Sequence, residues 1–273
     1  MPGGPADTLL FSWRDTLVRW TAAIEPILYD LARRNGHSPL DRGRDLRRRF
    51  EALLQELGGE QRSFATAYEL LAEQSGYRWR DAGSAALATV LCTCRPHPDV
   101  APALELAARA GFRLVVASDE DPELVDVALR PLDGAFAAVF TGRDVGGRGS
   151  AGPVDQALAR LDIPAWRIVH VAASQRQLNS AGAPGVCRAW LDRRLPATTE
   201  TARPAPAAAE NGRPAPATAE AARPAPAGET GARPPGTPHG DRPVRRQYDW
   251  RGGSLLELVE WLGRRRAVET ARL

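Results

Sequence analysis

The chain has 273 residues, 43% of them apolar, with 36 basic against 33 acidic residues and a net charge of +3. That length and apolar share suit one domain with an insertion and leave material for a sizeable core. No apolar run approaches the roughly 20 residues of a membrane span, and Met1-Pro2-Gly3-Gly4-Pro5 lacks the charged and apolar regions of a signal peptide, so a cytoplasmic protein with no membrane partner is expected. Every basic residue is arginine, which reads most simply as codon bias. The clusters Arg47-Arg48-Arg49 and Arg264-Arg265-Arg266 come without aromatic interleaving or a binding motif, so they read as solvated helix faces and no nucleic-acid partner is expected. Cys92, Cys94 and Cys187 are too few and too unevenly spread for a disulfide framework and read as small buried hydrophobes.

Thr8 to Trp13 is a short apolar run suited to a first buried strand. From about Val18 to Thr93 the period becomes helical: Ile24, Ile27, Leu28 and Leu31, then Leu46, Phe50, Leu53, Leu54 and Leu57, then Tyr68, Leu70 and Leu71. A helix from Pro98 to Ala110 closes at Gly111, a strand covers Phe112 to Ala117, and a second helix covers Asp121 to Leu129. Then follow a strand at Phe136 to Phe140, a helix at Pro153 to Leu161, a strand at Arg167 to Ala172 and a last strand at Val186 to Leu191. Strands alternating with helices predict an α/β, Rossmann-like parallel sheet covered on both faces, with ligands at the carboxyl ends of the strands. Ser12 and Ser118 fall at two such ends.

Residues 195 to 246 are different material. Thr201 to Glu210, Asn211 to Glu220 and Ala221 to Thr230 repeat a Pro/Ala-rich decapeptide, with a decayed copy from Gly231. So short and proline-rich a period predicts a long disordered or polyproline-like insertion. Each doubling of such a loop's length adds only about 0.6 kcal/mol of closure entropy, so a fold tolerates it. Beyond it, Ser254 to Leu262 is an amphipathic helix able to return to the core.

Leu9-Leu10-Phe11-Ser12-Trp13-Arg14-Asp15-Thr16-Leu17 resembles the first motif of the haloacid-dehalogenase-like (HAD) superfamily, an apolar strand ending in Phe-Asp-x-x-Gly-Thr-Leu. Ser12 takes the nucleophile's place and Asp15 the glycine's. Pro96-His97-Pro98-Asp99-Val100 with Ala103-Leu104 and Gly111-Phe112-Arg113-Leu114 is similar to the return from cap to core in the 2-haloacid dehalogenase branch. Ser118 then stands at the second-motif hydroxyl, with Asp119 for the branch's asparagine, and Pro122-Glu123-Leu124 also fits. Val145-Gly146-Gly147-Arg148-Gly149-Ser150 resembles the third motif, with Arg148 at the lysine. Val171-Ala172-Ala173-Ser174-Gln175-Arg176-Gln177 resembles the fourth, with Gln177 at the acidic position and Ser174 at the asparagine. The resemblance covers most of the chain outside the repeat. It implies a core of residues 1–17, 96–194 and 247–266, an inserted α-helical cap at 18–95, a linker at 195–246, and dimerisation through the cap.

In that family an aspartate forms an ester that is then hydrolysed. A serine needs a base to take its proton, and the motif-derived pocket offers no histidine, since His97 and His170 read as structural. Loss of a nucleophile in a hydrolase lowers turnover on the order of 10⁶-fold. The phosphatase branch also holds Mg²⁺ on first- and fourth-motif carboxylates. Ser12 and Gln177 are neutral, and neither a site rebuilt on Asp15 and Asp119 nor zinc on Cys92, Cys94 and His97 has a suitable ligand set. No metal or other cofactor is expected.

Hydroxyls at Ser12, Thr16 and Ser118, with Asp119, Ser174 and Arg148, would line what remains. Fewer carboxylates and a retained arginine make such a pocket receptive to anions. The first reading is therefore a pseudoenzyme that binds a small anionic ligand or a protein partner. The alternative is a divergent dehalogenase- or phosphatase-type hydrolase, or another cap-cavity enzyme, with Asp15, Asp119 and Asp121 as candidate acids or bases. A third is a scaffold acting through its proline repeat, which deletion of residues 196 to 240 would separate from the other two.

Overall fold

A computed structural model describes residues 6–57, 63–78, 82–142, 152–179, 184–196 and 249–270. Its centre is β1 (Thr8–Phe11), an apolar strand buried at every position, as a strand covered on both faces must be. β1 pairs in parallel with β2 (Arg113–Ala117) on one side and β4 (Ile168–Ala172) on the other. β3 (Ala138–Phe140) extends the sheet beyond β2, and β5 (Cys187–Leu191) and β6 (Trp250–Gly252) extend it beyond β4. The order is β3-β2-β1-β4-β5-β6 with every pair parallel, the predicted α/β Rossmann-like sheet.

Because strand side chains alternate between faces, Leu9 and Phe11 join the larger apolar cluster while Leu10 joins a second one with Val115, Val154, Ala157 and Ile168. The register sets Leu10 beside His170, so this histidine lies on the Leu10 face within an otherwise apolar strand.

Four helices follow β1: α1 (Trp20–Arg34), α2 (Pro39–Leu57), α3 (Ser63–Gln74) and α4 (Gly83–Thr93). Of the expected apolar stripes, Ile24, Ile27, Leu28, Leu31, Leu46, Phe50, Leu53, Leu54, Tyr68 and Leu71 are buried, and Leu57 and Leu70 partly so. α1 packs on α2 and α4, and α3 packs on both α2 and α4. The segments entering and leaving this unit pair with each other: Val18 bridges Pro96, the Arg19 N–H donates to the Arg95 carbonyl at 2.8 Å, and the His97 N–H donates to the Leu17 carbonyl at 3.0 Å.

α5 (Val100–Arg109), α6 (Pro122–Leu129) and α7 (Pro153–Leu161) fall where periodicity placed helices. Three expectations need correction. β1 ends at Phe11 and not Trp13, because the chain turns out of the sheet at Ser12. The last strand is β6, beyond the repeat, and not Val186 to Leu191. A five-residue helix, α8 (Gln175–Asn179), was not foreseen and is too short to show a period.

The carboxyl-terminal segment is held by polar ties. Asp99 accepts from Arg193 Nη1 through both oxygens, at 2.8 and 2.7 Å, and also from the Ser254 hydroxyl and the Leu255 N–H at the start of α9 (Leu255–Thr270). Burial pushes the Asp99 carboxyl up, and the Arg193 guanidinium more than offsets this, leaving it below the usual range. Arg193 also donates to the Thr16 carbonyl at 2.5 Å, linking this knot to the loop after β1. Asp192 accepts from Arg194 and Arg251, and the hydrogen bond from Arg194 depresses its pKa strongly. A Cβ added at Gly253 would stand 2.5 Å from the Leu195 carbonyl oxygen and 2.8 Å from that of Pro196, so glycine lets the two ends flanking the repeat meet. The repeat itself, at 197–248, lies outside the described residues.

No helix among the described residues is long and apolar enough to cross a membrane.

Candidate functional site

Ser12 directly follows β1 and Ser118 directly follows β2, so both stand at carboxyl ends of central strands, where a parallel sheet places its ligands. The structure does not pool their hydroxyls. Ser118 is buried and accepts from the Trp13 indole N–H at 3.0 Å and the Glu120 N–H at 3.1 Å. Thr16, fully buried, donates to the Arg14 carbonyl at 3.3 Å and accepts from the Ala173 N–H at 2.9 Å, pinning the loop after β1 to the end of β4. Ser174 accepts from the Gln177 N–H at 3.2 Å and donates to Gln177 Oε1 at 3.1 Å, capping α8. Asp119 is exposed beside these groups, Asp121 caps α6 by accepting from the Glu123 N–H, and Arg148 lies outside the described residues.

Asp15, which the sequence resemblance sets at the glycine's place, has φ +53°, a left-handed conformation that Asp tolerates better than most residues. Its carboxylate accepts from the Thr21 N–H at 2.8 Å and the Thr21 hydroxyl at 2.6 Å, placing negative charge at the start of α1. Both Asp15 oxygens are therefore engaged in a turn. Among the described residues no group of three His, Cys, Asp or Glu side chains could hold a metal ion. Ser12 and Gln177, which the sequence resemblance sets where phosphatases carry Mg²⁺-holding carboxylates, are neutral side chains. Burial pushes the Cys94 thiol up to about 11, so it stays protonated at neutral pH.

Ser12 Oγ has a partner that motif reading missed: it lies 3.2 Å from His170 Nε2. His170 is fully buried, and burial, with Arg188 beside it on β5, lowers its pKa to about 3. Its Nδ1 has no partner among the described residues, whereas a catalytic histidine there meets a group that orients the ring and steadies the imidazolium. A general base works best near the operating pH, and burial holds His170 well below it. The signal was present in the sequence, a lone histidine in the apolar run Ile168-Val169-His170-Val171-Ala172, but only the β1–β4 register shows that it reaches Ser12.

Arg14 is the second group not singled out. Its guanidinium ion-pairs with Glu120 in the loop between β2 and α6 and lies over the rings of Trp13 and Trp20, 5.8 and 5.4 Å from their centroids. Trp20 belongs to α1 and meets Phe64 of α3, which meets Phe50 of α2, so an edge-to-face aromatic column runs from the strand end into the helical unit. Burial lowers the Arg14 pKa to about 10, opposed by the charges of Asp119, Glu51 and Asp15 and reinforced by Arg176, so it remains a cation at neutral pH.

No family model matches the sequence, and no curated protein matches it. Solved structures do match in fold. An L-2-haloacid dehalogenase superposes with a TM-score of 0.63 at 14% identity, over 94% of this chain and 99% of the other. A HAD phosphatase from Thermococcus onnurineus gives 0.54 at 19% identity, over 94% and 98%. The L-2-haloacid dehalogenase from Xanthobacter autotrophicus gives 0.53 at 15% identity, over 69% and 78%. The chain has the HAD-like fold.

Proposed function

We propose that this chain is a non-catalytic binding protein built on the HAD-like fold, whose helices α1–α4 form a cap and whose occupant is a small anionic ligand or a protein partner. The observation that carries this reading is the state of Ser12. The atom at the nucleophile's place is a neutral hydroxyl whose neighbouring histidine is buried and too weak a base to take its proton. The surroundings agree: Thr16, Ser118 and Asp15 are engaged in local hydrogen bonds that hold the loops in place.

The alternative, a divergent hydrolase, draws on the same Ser12–His170 contact and on the exposed Asp119. It requires a buried imidazolium beside Arg188 without a counter-charge on Nδ1, which desolvation strongly disfavours.

Turnover of 2-haloacids and phosphate esters, with and without Mg²⁺, separates the readings when wild type is compared with Ser12→Ala. Equal and negligible rates are expected. A wild-type rate well above that of Ser12→Ala would make Ser12 catalytic and end the non-catalytic reading.

A further inference from the structure

Arg14 holds a full charge in a place nearly closed to solvent, with side-chain exposure of 18%, and the exposure of its partner Glu120 is 5%. The pairing is incomplete. Glu120 Oε1 meets Arg14, while Oε2 is buried without a hydrogen-bond partner among the described residues. Nearby, the Trp20 indole N–H is also buried and unpartnered. A guanidinium flanked by two indoles, with a spare N–H donor on one of them, is a receptor for a carboxylate. The group now on it is a side chain of the same protein.

We propose that Glu120 is an internal ligand of Arg14, occupying the seat of a small monocarboxylate and keeping the site shut until it is displaced. The proposal rests on the binding reading above and specifies how that site is regulated. Charge limits the ligand class. Asp119, Glu51 and Asp15 already surround Arg14 with negative charge, against Arg176 as a further cation. The site therefore accommodates an incoming carboxylate in exchange for that of Glu120, and disfavours a phosphate dianion added beside it. Because Arg14 bridges the end of β1 and the α1 aromatic ring of Trp20, exchange at this seat would be felt by the helical unit.

The test is chemical rescue in the full chain. Removing Glu120 (Glu120→Ala) leaves Arg14 buried and unpaired, and formate or acetate should then fill the seat. A rise in Tm of roughly 3 °C near tenfold saturation is expected relative to chloride at equal ionic strength. Wild type and the double variant Arg14→Met/Glu120→Ala should show no such rise. If Glu120→Ala does not fold, Glu120→Gln, which keeps the volume, is titrated with acetate by tryptophan fluorescence, and binding at least about tenfold tighter than in wild type is expected. Equal acetate binding in wild type and the Glu120 variant would overturn the internal-ligand proposal while leaving anion binding at the site intact. Binding or rescue in neither would overturn both. Rescue that persists without Arg14 would place the anion elsewhere and also overturn the proposal.

Discussion

Arg14→Met is expected to destabilise the protein by about 3–5 kcal/mol, and adding Glu120→Leu to recover most of that loss. Both side chains sit between the strand ends and the helical unit with little solvent access. Removing the cation alone strands a buried carboxylate, and removing the carboxylate alone strands a guanidinium whose pKa burial already lowers to about 10. Replacing both with apolar groups removes the desolvation penalty together with the attraction, and the neighbouring Trp13, Trp20 and Phe64 rings offer an apolar surface to pack against. Denaturant unfolding of the two single variants and the double variant reads out the cycle. Additive losses would show that the two charges are not coupled.

The next largest effect is on acid stability. The folded-state pKa of His170 is lowered to about 3 by burial and by Arg188, against about 6.5 in an unfolded chain. A histidine depressed in this way binds protons more readily when unfolded. Its contribution is therefore complete above about pH 6.5 and declines as pH falls toward 3, reaching a loss of about 3 kcal/mol at pH 4. His97, lowered to about 4 by burial and Arg193, adds to the same decline between about pH 6.5 and 4. His170→Gln should unfold along a flatter curve of stability against pH over that window. An unchanged curve would mean that His170 takes up its proton as readily folded as unfolded, which would contradict its weakness as a base.

The legible parts of the fold were those where local pattern and tertiary environment agree. The apolar run from Thr8, Pro153 opening α7 and the stripe along α1 each carry their own period or cap. β6 was hidden because Trp250-Arg251-Gly252 alternates too briefly to register, and it becomes a strand only through pairing with Ala189, Trp190 and Leu191. The alternation of strands and helices placed Ser12 and Ser118 at strand ends, as they are, but it could not show that the Ser118 hydroxyl is taken by Trp13. Arg14–Glu120 and Ser12–His170 join separate strands, and such contacts depend on register and crossover, which no local pattern encodes.

Whether Ser12 reacts is read out directly by peptide mass spectrometry after prolonged incubation with 2-bromopropionate and with p-nitrophenyl phosphate. The peptide containing Ser12 should be unmodified in both cases and indistinguishable from an untreated sample. An alkyl or phosphoryl adduct on Ser12, absent when His170 is replaced by Gln, would show a working nucleophile and base and would contradict a non-catalytic Ser12.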